Sequence, residues 1–251
     1  MVPVSRLVER CDELLNLRSI KDFPGAFNGL QVARREPVKK IGTAVDANKQ
    51  VIQKALREGV DFLIVHHGLL WDGGHPLVGE YYDLYRSLLE NDLAVYSAHL
   101  PLDAHASFGN NVVLAQKLGL EVVGTFAEFE GVPVGRVVSW KDSRAVLRAR
   151  LEKWFGPIHS IEFGSPKPSR VGILSGSSGS FLKTLCEAHL LDTIVTGEVP
   201  HSFYSRAQLE KINLYACGHY ATEIWGVRTF GERIAQEWGL PHTFIDAPSG
   251  L

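Results

Sequence analysis

The chain has 251 residues, of which 45% are hydrophobic and 22% charged, enough for one large α/β domain or two smaller ones with a substantial core. A formal net charge of -2 gives no support to a general binder of nucleic acid or anionic membranes, since both want a basic surface. No apolar run approaches the roughly 20 residues of a membrane helix.

Residues Met1 to Leu17 carry charges at Arg6, Glu9, Arg10, Asp12 and Glu13 among apolar residues at helical spacing, including Val4, Leu7, Val8 and Cys11. That pattern predicts an amphipathic helix and not a secretory signal, so a cytoplasmic protein is expected. A Pro- and Gly-punctuated loop from Phe23 then leads into a short strand near Val32. Ile41 to Asp46 reads as a strand, Asn48 to Glu58 as a helix, and Asp61 to His66 as a central strand that delivers His66 and His67 at its end.

A loop with Trp71, His75 and Pro76 precedes a helix near Tyr81 to Glu90 and a strand from Leu93 to Ala98 that ends at His99. Pro101 is expected to break any immediate helix. A helix follows over Ser107 to Leu118, then a strand over Val134 to Trp140, a helix over Ser143 to Trp154 and a strand over Ile158 to Phe163. Residues 165–169 are linker-like but too short to separate independent domains. The last third adds a strand from Ile212 to Gly218 and a helix from Ala221 to Trp238.

The second half replays the first. His99 and Asp103 stand four apart, as do His219 and Glu223, at an offset of 120 (219 minus 99). Val171-Gly172-Ile173 likewise resembles Ile41-Gly42-Thr43, and the run from Asp192 resembles that from Asp61, at offsets of 130 and 131. Duplicated β/α units are therefore expected: a first half over 1–130 and a second over 131–251, forming one globular unit. The sheets should be mainly parallel with helices outside, and ligands should collect beyond the strand ends, between the halves.

His66, His67, His99, Glu198 and His219 all fall at such ends. Imidazoles and carboxylates suit zinc, manganese, iron, cobalt or nickel. On a regular strand His66 and His67 would point to opposite sides, serving two ions, or one ion and one supporting contact. The HxxxE at His219 and Glu223 places both on one helix face, and a bridging carboxylate can hold two cations. A lone HxxxE is ordinarily a surface pair, and an adjacent His-His pair can be packing; their convergence with HxxxD is what points to metal.

His75, His105, His159, His189 and His242 lack that context and are assigned to loops, helix surface or core. The three cysteines, Cys11, Cys186 and Cys217, have no CxxC spacing and read as buried thiols. Gly172 to Gly179 is rich in Gly and Ser but lacks the ending of a Walker loop.

Several stretches together resemble the GTP cyclohydrolase 1 type 2 homologues, also described as NGG-interacting-factor-three-like proteins. They are Asn28 to Val32, Val65-His66-His67-Gly68 with Trp71, Ala98 to Asp103, Gly109-Asn110-Asn111, Thr196-Gly197-Glu198 and Gly218-His219 with Glu223. Many members have a proline where this chain has Gly68. The resemblance implies a dinuclear centre with ligands His66, His67, Asp103, His219 and Glu223, the last bridging two divalent ions. It places His99 beside the site in a supporting or proton-transfer role. It also implies the short family form, without an inserted middle domain, and a homohexameric ring.

The expected function is that of a metal-dependent hydrolase or cyclohydrolase-like enzyme acting on a nucleotide or other phosphorylated small molecule. Two other classes compete with it: a metal-handling or metallochaperone protein without turnover, and a ring-shaped scaffold. Nucleic acid and membrane partners are not expected.

Overall fold

Apolar runs and amphipathic segments become strands and helices largely where their periodicity places them. The computed structural model describes residues 1–71, 73–179, 181–182 and 190–251; Cys186 and His189 lie outside the described residues. Among these, no helix is long and apolar enough to cross a membrane.

The first compact unit comprises Met1–Phe108 and Gly226–Ala247. Its five strands are β1 (Gly29–Val32), β2 (Ile41–Asp46), β3 (Phe62–His67), β4 (Ala94–Ser97) and β11 (His242–Phe244), in the order β1-β4-β3-β2-β11. All neighbours run parallel except β1, which pairs antiparallel with β4. Helix α1 (Val4–Leu14) buries Leu7 and Cys11 in a core with Phe62, Ile64 and Tyr96. Helices α2 (Lys49–Arg57) and α3 (Gly79–Glu90) contribute Val51, Ile52 and Leu88 to a second core with Leu63 and Val65. Strand β3, apolar on both faces, therefore sits at the centre.

Helix α2 starts where Asn48 accepts the Val51 N–H at 2.9 Å, an N-cap that satisfies one orphan donor. Pro101 does not prevent helix: it lies in the first turn of the short α4 (Leu100–Asp103), where a missing N–H costs nothing. That turn carries Asp103 back over His99, whose carbonyl accepts the Asp103 N–H at 3.1 Å.

The second compact unit comprises Gly109–Trp225 and Pro248–Leu251. Its sheet runs β5-β6-β8-β9-β10-β7, from β5 (Val122–Phe129), β6 (Val132–Val138), β7 (His159–Glu162), β8 (Val171–Ser177), β9 (Thr193–Glu198) and β10 (Asn213–Ala216). Here β8, β9 and β10 are parallel while β5, β6 and β7 join antiparallel. This sheet is thus mixed where a mainly parallel one was expected. The added strands come from a hairpin whose turn residues, Glu130 and Gly131, both have positive φ, as a type I′ turn requires.

Helices α5 (Asn110–Lys117) and α6 (Arg144–Phe155) pack Leu114, Leu118, Leu147 and Leu151 on Val171, Ile173 and Val195 of this sheet. The remaining helices are α7 (Phe203–Glu210) and α8 (His219–Trp238). These units divide the chain at Phe108 and again within α8, not at 130/131, because β5 pairs with β6 and the chain after Gly226 contributes β11 to the first sheet.

The repeat is visible in the topology. Each unit contains three parallel strands in one order, β4-β3-β2 and β10-β9-β8, with an antiparallel strand on the same side, β1 or β7. Asp61 accepts the backbone N–H groups of Lys39 and Lys40, and Asp192 accepts those of Ser169 and Arg170.

Candidate metal centre

In the first unit the ends of β3 and β4 bring three imidazoles together. His66, His67 and His99 each offer one ligand nitrogen within 4.8 Å of the others. The expected divergence of His66 and His67 is not what the structure has: their ring centroids lie 4.8 Å apart. Alternation governs the middle of a strand, whereas at its last residues each ring is steered by its own hydrogen bond. His66, fully buried, directs Nδ1 to the Ala98 carbonyl at 2.8 Å. His67 directs Nδ1 to Asp46 Oδ1 at 2.8 Å, across the pairing of β2 with β3.

A carbonyl or carboxylate oxygen can only accept here, so these Nδ1 atoms carry the proton and Nε2 keeps the lone pair a metal needs. Asp103 Oδ2 lies 3.5 Å from His66 Nε2. Two donors at about 2.0–2.2 Å from one ion are about 3–3.5 Å apart, so this pair matches a shared cation.

His99 is fixed in the same manner. Its Nδ1 meets Asp22 Oδ1 at 2.8 Å, and its ring lies 4.9 Å from that of His66 and 5.6 Å from that of His67. Trp71 stands edge-on to His99 at 5.0 Å and so walls the cluster. Burial alone would raise the Asp22 pKa, but hydrogen bonds from His99, Asn28 and the Phe23 N–H outweigh it and hold the carboxyl below its ordinary value. Gly68 follows the His pair because a Cβ there would lie 2.2 Å from Gln31 Nε2; the Gln31 side chain takes that space and accepts the Leu69 and Leu70 N–H groups.

In the second unit the first turn of α8 carries His219 and Glu223, with His219 Nε2 3.0 Å from Glu223 Oε2. Its Nδ1 is held by Glu198 Oε1 at the end of β9. The turn approaches the strand ends closely because two residues there lack side chains. A Cβ on Gly176 would lie 2.0 Å from Glu223 Oε1, and one on Gly197 would lie 2.8 Å from the His219 Cα. Thr222 completes the junction, its Oγ1 accepting the Gly176 N–H at 3.0 Å.

Burial opposes protonation of His219, yet the Glu223 and Glu198 carboxylates overcome it and raise its pKa to about 9. The same negative charge would stabilise a cation. Burial pushes the nearby Cys217 thiol up to about 12, away from the thiolate form. Beside Glu198 opens a cavity of about 570 Å³, lined by Phe155, His159, Ile161, Cys217 and Tyr220.

A family model described as Duf34/NIF3 (NGG1p interacting factor 3) matches residues 2–249. The chain belongs to the Duf34/NIF3 family. A Pyrococcus abyssi relative named GTP cyclohydrolase 1 type 2 homolog is 35% identical over 251 residues, covering 98% of each chain. A relative of the same name from Escherichia coli K12 is 36% identical over 249 residues, again 98% of each. Among solved structures, TTHA1606 from Thermus thermophilus superposes with a TM-score of 0.85 at 35% identity over 100% of both chains. The protein ybgI does so with a TM-score of 0.89 at 34% identity, covering 98% of this chain and 99% of that one.

In this Duf34/NIF3 chain two carboxylates that orient imidazoles lie outside every motif: Asp22 and Asp46 carry no local signature. Glu198, expected at a strand end, holds His219 there. One signal was available, since Asp46 and Glu198 each stand 21 positions before the histidine they hold. Neither cluster includes the described His75, His105, His159, His201 or His242. His75 stacks on Tyr81, His105 stacks on Phe108, and His159 is exposed on β7. His242, on β11, has Nε2 2.9 Å from Thr43 Oγ1.

Proposed function

We propose that the protein is a dinuclear-metal hydrolase in which His66, His67, Asp103, His219 and Glu223 hold two divalent ions. One observation carries the reading: each of these three imidazoles has Nδ1 committed to an oxygen acceptor, so Nε2 is the nitrogen turned to an ion, beside Asp103 for His66 and beside Glu223 for His219. The donors also fit by type, because each unit supplies at least one imidazole and one carboxylate. Zinc, iron, manganese, cobalt and nickel all suit this set, which does not select strongly among them.

Such ions would supply Lewis acidity and a water nucleophile near neutral pH. The chain's own residues do the rest. Asp46, Glu198 and the Ala98 carbonyl keep the ligand rings in place, and His99 is placed to move a proton. The cavity beside Glu198 offers apolar walls to a small molecule. The name GTP cyclohydrolase 1 type 2 homolog, carried by relatives, favours a nucleotide.

The test combines elemental analysis of the purified protein with a screen of nucleotides and phosphoesters against wild type and Glu223→Ala. Turnover that depends on bound metal and is lost with Glu223 is expected. Two bound ions with no turnover of any compound would overturn the hydrolase and leave a metal-handling protein.

A further inference from the structure

We infer that Asp22 is a positioning residue that locks His99 as its Nδ1–H tautomer, so that His99 enters the reaction with Nε2 as a proton acceptor. The tautomer stands on geometry alone; the proton transfer rests on the hydrolase reading above. Asp22 is 77 positions from His99 in the chain, and its side chain is only 5% exposed.

Four donors surround that carboxylate. Oδ1 accepts from His99 Nδ1 at 2.8 Å and from the Phe23 N–H at 2.7 Å. Oδ2 accepts from Asn28 Nδ2 at 2.7 Å and from the Leu100 N–H at 2.9 Å. Asn28 in turn accepts the His99 backbone N–H through Oδ1 at 2.7 Å, so both ends of residue 99 are clamped by the same loop. Surrounded by donors and buried, the carboxylate stays an acceptor, and Nδ1 of His99 must bear the proton. The lone pair then sits on Nε2, on the far side of the ring.

In the reaction this orientation permits one direction of transfer first. The O–H bond of the attacking water breaks, its proton forms Nε2–H, and the oxygen keeps the electron pair that bonds to the substrate. The positive charge on the resulting imidazolium faces Asp22, which stabilises it without taking the proton. The proton on Nε2 can then pass to the leaving group.

Asp22→Asn isolates this role. With an amide at position 22, the NH2 group must face two donors in either orientation: Asn28 Nδ2 with the Leu100 N–H, or the Phe23 N–H with His99 Nδ1. Only the second can be relieved at His99, by a switch to the Nε2–H tautomer. Neutron diffraction on the wild-type protein with its bound metal reads the tautomer directly and needs neither a substrate nor a variant. We expect deuterium on Nδ1 of His99, none on Nε2, and no ion on that Nε2. Deuterium on Nε2 alone, or an ion coordinated there, would overturn the inference whether or not the protein is a hydrolase.

Once a substrate is in hand, Asp22→Asn should lower kcat by about 10²- to 10⁴-fold with KM and metal content kept. Asp22→Asn combined with His99→Gln should be no slower than His99→Gln alone. A further loss in the double variant, or a matching loss of metal from Asp22→Asn, would make Asp22 a structural residue instead. Wild-type neutron data as expected with no turnover on any substrate would leave the tautomer standing and remove only the hydrolase reading.

Discussion

The carboxylate of Glu223 occupies the space that a side chain at Gly176 would need, with only 2.0 Å between Glu223 Oε1 and a Cβ built at 176. Gly176 also has φ +62°, where an L side chain is strained by about 1 kcal/mol or more. Gly176→Ala should therefore push Glu223 off its position beside His219. We expect bound metal to fall as far as it does in Glu223→Ala, with the fold retained. Elemental analysis beside a thermal melt decides it, and a folded Gly176→Ala protein with full metal content would contradict the steric account.

Asp61 and Asp192 hold equivalent places in the two sheets, each accepting two consecutive backbone N–H groups ahead of a parallel strand. Removing either loses two hydrogen bonds at exposed or half-buried positions, where water replaces the acceptor, at a net cost of about 0.5–1.5 kcal/mol. Asp61→Ala and Asp192→Ala should each show that loss in urea unfolding. Asp142→Ala, at an exposed position, should stay within about 0.5 kcal/mol of wild type. Equal stability of all three variants would remove the carboxylates from the fold's energetics.

Those two aspartates also explain why so much of the fold was legible. The repeated pattern from Asp61 and Asp192 marks the central strand of each unit, and strand-end histidines follow from it. Reading stopped where contacts became long-range. Asp22 reaches His99 across 77 positions, and no periodicity encodes that. The convergence of His66 and His67 was hidden for another reason: the two-residue alternation of a strand lapses at its last residues, where hydrogen bonds to Ala98 and Asp46 set each ring. The β5–β6 hairpin is hidden because its turn pair, Glu130-Gly131, lacks the Asn or Asp that ordinarily marks such a turn.

Helix α3 and the residues before it leave several large apolar side chains in solvent: Leu77 and Val78 are 55% and 68% exposed, Tyr82 51% and Leu89 66%. Exposed apolar residues this close together in the chain suit a contact region. We expect a closed homo-oligomer, the hexamer that the family resemblance implies, with this helix at an interface. Light scattering should return a mass several times 27.8 kDa for the wild type and a smaller one for Tyr82→Glu. A mass near the single chain for wild type at micromolar concentration would rule this out.

Stability should fall in two separate acid windows. Burial lowers the pKa of His242, with Arg228 and Lys40 acting in the same direction and Glu232 against them. A base whose folded pKa lies below its ordinary 6.5 binds fewer protons folded than unfolded, so its contribution is present above pH 6.5 and is lost as pH falls below it. Asp22 is depressed below 3.8; its contribution is present above that value and is lost only as pH falls further, through its folded pKa. Thermal melts from pH 8 to pH 3 should show a first decline below pH 6.5 that is reduced in His242→Gln, while the decline below about pH 4 persists in that variant. Parallel curves for wild type and His242→Gln between pH 7 and pH 5 would show that the Thr43–His242 contact keeps the imidazole's affinity for protons unchanged on folding.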